Sequence, residues 1–384
     1  MRIAIVGPAF PLRGGIAQYL AILYSRLVAA GHDVRFVSFT KQFPDWLFPG
    51  KTQKETSSDV IDVHPVPRFA PLDVRSWPAT VGELAAFDLE LVIFKWWMPF
   101  FGLGYWAVQR GLHRRTRARV LYIIDNVIPH ERRLGDRFLT NLAFSQTDLF
   151  IAQSRAVERD LFSWFPRLPR ERVLFCPHPV YNCYPAFKGG AADARAAIGL
   201  PGGAKVLLFF GFVRHYKGLD LLIRAMPHVR RAHPAACLVV VGEFYEPRSE
   251  YDKIIRELSL QDCVTIRDDY CPNEEVGKYF AACDAVVLPY RSATQSGIIQ
   301  IAYALDTPVI TTKVGGLCEV VEDGVTGFVV PPDNPLLVAE AVDRFYARGG
   351  RPSFVENVRR ESRRYTWEAL IASIEKLASA RTPL

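Results

Sequence analysis

"AVVLPYRSATQSGIIQIAYALDTPVITT", residues 285–312, is the stretch whose reading decides the fold. "AVVLPY" and "PVITT" are short, uniformly apolar runs. They lack the alternation of a half-exposed strand and read as parallel strands covered on both faces. Between them Ile298, Ile301, Ala302 and Leu305 recur at i, i+3, i+4 and i+7, the buried stripe of an amphipathic helix that begins at Ser296 and Gly297. Strand, tight turn, helix and strand make one unit of a parallel α/β sheet. The free N–H groups of Gly297, Ile298 and Ile299 at such a helix start form an anion site. The stretch offers that anion little else: no basic residue follows Arg291, and the only carboxylate is Asp306 at the far end.

Working outward, the same alternation fills the chain. "RIAIVG", "DVRFVSF", "LELVIFKW", "RVLYIID" and "DLFIAQS" are strand-length apolar runs separated by helical ones such as "GGIAQYLAILYSRLVAAG". A tract rich in Pro, Gly and Ala, residues 177–205, interrupts the series. It then restarts with "VLLFFGF", "ACLVVVGE", "CVTIRDD" and the opening stretch. The expected fold class is α/β, with two Rossmann-like, doubly wound domains facing an interdomain cleft. The N-terminal domain is placed at residues 1–185 and the C-terminal domain at 186–361. In such sheets ligands bind beyond the carboxyl ends of the strands. The closing "YTWEALIASIEKLASA" is helical, with Trp367, Leu370, Ile371 and Ile374 on one face.

The 384 residues are 49% hydrophobic, enough for large cores, and carry a net charge of +7. That charge favours acidic partners: nucleotides, anionic lipid or nucleic acid. It is modest, and no RNA or DNA motif is present, so a nucleic-acid partner is set aside. The seven cysteines include no CxxC pair and no Cys/His cluster. A structural zinc or disulfide framework is therefore not expected, and a reducing cytoplasm fits. "MRIAIVGPAF" turns straight into strand and loop, unlike a signal peptide. "WWMPFFGLGYWAV", residues 96–108, is too short and too broken to span a bilayer. With the basic "RGLHRRTRARV" behind it, the tract 96–119 reads either as an anionic-membrane contact or as a buried strand end followed by a helix with a solvated basic face.

The loops at strand ends carry the candidate chemistry. Gly14 and Gly15 precede a helix, so backbone there either approaches a ligand closely or forms a plain tight turn. "VLYIIDNVIPHERR" crowds Asp125, Asn126, His130 and Glu131 at a strand's carboxyl end. His130 reads as a group that shares a proton with a substrate hydroxyl, or as a packed or capping residue. After "VLLFFGF" come Gly211, Arg214 and Lys217, cations suited to a diphosphate if not simply solvated. The helix dipole contributes only about 0.3 to 2 kcal/mol. Charge-assisted hydrogen bonds from Arg214 and Lys217, about 1.5 to 3 kcal/mol each, are the larger share of anion binding. No Asp-x-Asp occurs, so a metal-free diphosphate site is expected, with no cofactor.

Together "GGIAQY", "DNVIPHE", "FGFVRHYKGLDLLI", "VVGE", "ACDAVVLPY", the run through residue 333 and "YTWEAL" resemble the retaining glycosyltransferases of family 4, which have the GT-B fold. The resemblance spans nearly the whole chain and is most specific over residues 282–333. It implies a second domain that binds a nucleoside-diphosphate sugar and a first domain that binds the acceptor. It implies transfer with retention, and a last helix, within 362–384, that packs back on the first domain. By position Arg214 and Lys217 look like the phosphate-holding pair and His130 lies near the transferred sugar. Gly14 and Gly15 approach donor and acceptor, while Gly242 and Glu243 line the cleft. The donor set is then Gly14, Gly15, Gly211, Glu243, Thr294, Gln295, Ser296, Gly297, Ile298 and Gln300, with His130, Arg214 and Lys217 as catalytic residues.

The chain departs from the family at the helix start. Two Glu with seven residues between them usually flank it. Here those positions fall on Thr294 and Ala302, or on Ala293 and Ile301 when "TPVI" is aligned. Gln295 and Gln300 are the nearest polar substitutes, each weaker by about 1 kcal/mol for lack of charge. The Arg214–Lys217 spacing is also shorter than usual.

The expected activity is transfer of a hexose to a hydroxyl of a glycan or lipid-linked acceptor, in cell-surface polysaccharide or glycolipid synthesis. The expected location is the cytoplasm, peripherally at the inner face of the plasma membrane. The alternatives are a catalytically weak sugar-nucleotide-binding subunit and a nucleotide-sugar epimerase on the same fold.

Overall fold

Strands with no polar face are stable only where helices cover both sides of the sheet. In the computed structural model, which describes residues 1–380 except 45–47, 49, 130 and 132, every residue of four strands is buried: β4 (Leu91–Trp96), β6 (Leu149–Ala152), β11 (Ala285–Leu288) and β12 (Val309–Thr312). The first sheet also holds β1 (Arg2–Gly7), β2 (Asp33–Phe39), β3 (Val66–Phe69), β5 (Arg119–Ile124) and β7 (Val173–Phe175), in the order β3-β2-β1-β4-β5-β6-β7. The second adds β8 (Lys205–Phe210), β9 (Ala236–Val241), β10 (Val264–Arg267) and β13 (Gly327–Val330), in the order β10-β9-β8-β11-β12-β13. All neighbouring strands within each sheet run parallel. The fold is α/β with two Rossmann-like sheets.

Chain order reverses between β1 and β4 in one sheet and between β8 and β11 in the other. At such a switch point the loops leaving adjacent strands diverge and open a crevice. The loops there include those carrying Gly14 and Gly15, Arg214 and Lys217, and residues 291–297; Asp125 ends the neighbouring strand, β5.

One apolar core runs through both sheets by way of the connection 176–184 and the last helix, Trp367–Ser379. That helix buries Trp367, Leu370, Ile371, Ile374 and Leu377. Its outer end is held to the first sheet: Arg119 donates to the carbonyls of Leu377 and Ala378, at 3.0 and 3.2 Å, and His32 Nε2 lies 2.9 Å from Glu375. Segment 51–59 crosses the cleft to the second sheet. Its contacts are Lys51–Asp269 at 2.8 Å, Ser58 Oγ–Glu274 at 2.9 Å and Tyr270 Oη–Glu55 at 3.0 Å. From the other side, Glu319 accepts the Arg155 and Ala156 amides, at 2.7 and 2.9 Å, and so caps the first-domain helix Arg155–Trp164.

One expectation needs correction. The helix Gly297–Ala304 buries Ile299, Gln300, Ile301, Ala302 and Tyr303, while Ile298 and Leu305 are only partly buried. It is gripped from several sides, so one stripe does not describe it. The aromatic half of the 96–119 tract is largely core: Trp96, Phe101 and Tyr105 are fully buried and pack with Phe94, Phe39 and Tyr122. Leu103, Arg110, Arg114, Arg115 and Arg117 remain exposed. All seven cysteines are free, and no described helix is long and apolar enough to cross a membrane.

Candidate active site

The cradle begins where β8 ends. Gly211 has φ +100°, a backbone shape that L side chains rarely adopt; a Cβ there would sit 3.2 Å from Ile298 Cδ1 and 3.4 Å from Lys217 Nζ. That one position shows how closely the cation loop and the first turn of the Gly297 helix converge. Lys217 is partly open to the cleft, but its ammonium is desolvated. Burial, with Arg214 beside it, lowers its pKa to about 7. Among the described residues it has no carboxylate partner, only the Tyr290 ring 5.8 Å away. Arg214 stacks over Tyr245 at 4.9 Å and reaches Glu131 of the first domain at 3.3 Å.

The helix start faces this pair. Ser296 is the N-cap residue but makes no capping bond, and the first turn holds no acid. The Ile299 amide turns back to Ser296 O at 3.2 Å, so the expected trio of free donors reduces to Gly297 and Ile298, which have no acceptor among the described residues. Gly297 packs on Tyr181, whose hydroxyl donates to Gly15 O at 3.1 Å, so this tyrosine joins the Gly14–Gly15 loop to the helix start. Gly14, with φ +111°, is the N-cap of the helix Gly15–Ala29.

The remaining predicted residues are less free than the sequence suggests. Thr294 Oγ1 donates to Asp125 O at 2.8 Å, and Gln295 Nε2 donates to Asp125 Oδ1. Gln300 is buried, and among the described residues the side-chain oxygens of Gln295 and Gln300 have no partner. Glu243 is 1% exposed and fully engaged: Oε2 takes Arg13 and Oε1 takes the Lys51 amide. In this arrangement it carries an interdomain ion pair and is closed to the cleft. His130 lies outside the described residues.

Sequence reading named Asp125 only as part of a polar crowd and missed Lys95, Gln153, Tyr19, Tyr181 and Arg13. Lys95 lies inside a wholly buried strand. It pairs with Asp125 at 2.5 Å, donates to Gln153 Oε1 and sits 3.7 Å from the Tyr19 ring centroid. Burial raises the pKa of Asp125 and lowers that of Lys95, while their attraction opposes both shifts. Arg13 is enclosed by Phe48, Phe212 and Tyr270. The one signal in the sequence was for Lys95, a charge within an apolar run.

Two Rossmann-like sheets joined by one core, with loops at both switch points turned toward a shared cleft, define the class: a GT-B glycosyltransferase. Residues 14–178 match the Glycosyl transferase 4-like domain, and residues 204–348 match Glycosyl transferases group 1. The D-inositol 3-phosphate glycosyltransferase 1 of Catenulispora acidiphila is 34% identical over 308 residues, 74% of this chain and 72% of that protein. The chain belongs to this glycosyltransferase family, group 1 and family 4 in type. Among solved structures, sucrose-phosphate synthase of Thermosynechococcus elongatus superposes with a TM-score of 0.76 at 22% identity, covering 98% of each chain. HepE of Anabaena, solved with UDP-glucose, gives a TM-score of 0.75 at 17% identity, covering 99% of this chain and all of that one.

Proposed function

We propose that the protein transfers a hexose, with retention, from a nucleoside-diphosphate sugar to a hydroxyl of a glycan or lipid-linked acceptor, in cell-surface polysaccharide or glycolipid synthesis. The observation that carries this reading is the convergence of Lys217, Gly211 and the uncapped Gly297 helix start, which brings a cation and amide donors together at a helix turn that holds no acid. That HepE was crystallised with UDP-glucose supports the choice of ligand class. Lys217 and the Gly297 and Ile298 amides hold the diphosphate, and Arg214 leaves Glu131 to join them. As the sugar–oxygen bond breaks, negative charge grows on the leaving phosphate, and these fixed donors face it. The departing phosphate takes the acceptor's proton. His130 orients sugar and acceptor, and a closed cleft excludes water that would otherwise hydrolyse the donor. No metal is required. The exposed Leu103 and the arginines of 110–117 support a membrane-proximal acceptor.

Calorimetric titration with UDP-, GDP- and ADP-glucose, in EDTA, tests the reading. One nucleotide class is expected to bind; no binding of any at millimolar concentration overturns it.

The same titration has a pH signature. In the empty site Lys217 is half-protonated near pH 7, and a bound diphosphate raises its pKa. Affinity is therefore full below pH 7 and falls by up to about tenfold per unit above it, as binding takes up a proton. Titrations at pH 8 in two buffers of different ionisation enthalpy are expected to show uptake approaching one proton, vanishing at pH 6. No uptake at pH 8 means that Lys217 is already charged.

A further inference from the structure

We propose that Asp125 reads the transferred sugar, supplying from the first domain the carboxylate that the helix start of the second lacks. The inference rests on the donor reading above. No acid occurs between Arg291 and Asp306. Asp220 and Asp333 are taken up by Arg291 at the start of the loop, and the carboxylate that touches Gln295, two residues ahead of Gly297, is Asp125, at the carboxyl end of β5. Its main-chain oxygen accepts from Thr294, and its Oδ1 accepts from Gln295. Asp125 thus lies against the two residues that lead into the anion site.

Its geometry is that of a prepared acceptor. Lys95 approaches the same Oδ1, at 2.5 Å. Lys95 is itself fixed by Gln153 and by the Tyr19 ring, and Gln153 donates to Tyr19 Oη at 2.7 Å. Among the described residues Oδ2 has no hydrogen-bond partner, and 12% of the side chain is open. A carboxylate oxygen left open in this way needs a donor. A sugar hydroxyl is one; phosphate oxygens are acceptors and are repelled.

The path of the chain places this oxygen. Six residues on, Glu131 meets Arg214 at 3.3 Å, so Asp125 beside the helix start and Glu131 beside the cation loop belong to the same first-domain wall. A sugar attached to a diphosphate held by Lys217 and Gly297 faces that wall.

Asp125→Asn tests the assignment. Asn keeps an acceptor for Gln295 and leaves the Thr294 bond intact, but its side chain is uncharged. The nucleotide sugar that binds best among UDP-, GDP- and ADP-glucose is titrated beside its bare diphosphate. The variant is expected to lose about tenfold or more for the sugar nucleotide, the usual effect of losing one charged hydrogen bond, and less than about twofold for the diphosphate. Equal losses for both ligands mean that Asp125 only holds the loop, and no loss for either means that it does not meet the sugar; each overturns the proposal. If the single variant unfolds because Lys95 is left buried and unpaired, the double variant Lys95→Met/Asp125→Asn removes that charge and must show the same selective loss. A wild type that binds no sugar nucleotide overturns the donor reading itself, and the assignment with it.

Discussion

Lys217→Met is expected to slow sugar transfer by about 10²- to 10³-fold, the usual cost of removing one fixed donor from developing charge. The same change is expected to make the empty protein harder to unfold at pH 8. The two effects share one cause. Lys217 is held ready for an anion in a setting that disfavours its charge, so its pKa is about 7 against an ordinary 10.5. Between those values the unfolded chain binds more protons than the folded one. Stability therefore rises with pH across that window, and at pH 8 the folded state still bears the cost of a proton given up. Methionine fills a similar volume without a proton to release. Steady-state kinetics and thermal unfolding of the empty protein at pH 8 read the two arms. A variant with full activity removes Lys217 from the mechanism. A variant that is slower and also less stable shows that Lys217 supports the fold through contacts other than its charge.

Trp367→Ala is expected to destabilise the protein by about 3 to 5 kcal/mol, the range for deleting a buried aromatic ring. The indole is 1% exposed, packs 5.0 Å from the Tyr19 ring and donates to Val180 O at 2.9 Å. Truncation leaves a cavity where the last helix, the connection 177–184 and the helix Gly15–Ala29 meet, and strips that carbonyl of its donor. Tyr19 also holds the Gln153–Lys95–Asp125 chain, so the remaining folded protein is expected to bind donor more weakly. Urea unfolding measures the first effect. Trp367→Phe, which keeps a ring but loses the N–H, is expected to cost about 1 kcal/mol for the hydrogen bond plus a smaller cavity. A loss below about 1 kcal/mol for Trp367→Ala means that the site collapses around the gap and the helix is not pinned by this ring.

The sequence carried the fold where elements were long and apolar. β1, β4, β5, β8, β9, β11 and β12 announce themselves as predominantly hydrophobic runs, with Lys95 the charged exception inside β4, because burial on both faces leaves little room for polar residues. β3 and β7 do not: β3 has four residues, Pro67 among them and two exposed, and β7 has three. Their identity comes from the strand beside them. Gln300 looks like a surface residue of an amphipathic helix and is 2% exposed, because a second layer of chain covers that face.

In the site, glycines and cations at strand ends were legible, since both have few other reasons to stand there. Partners distant in sequence were not. Glu243 sits at a strand end like a cleft residue, yet it is taken by Arg13 from the opposite sheet. Lys95, read within "LELVIFKW", gives no sign that Asp125 waits on the next strand.

The most direct measurement is a crystal structure with the nucleoside diphosphate that binds best among UDP, GDP and ADP, grown in EDTA. The account predicts phosphate oxygens within hydrogen-bond distance of Lys217 Nζ and the Gly297 and Ile298 amides, with Arg214 moved from Glu131 onto the ligand. A diphosphate seated away from that helix start, with Arg214 still on Glu131, contradicts it.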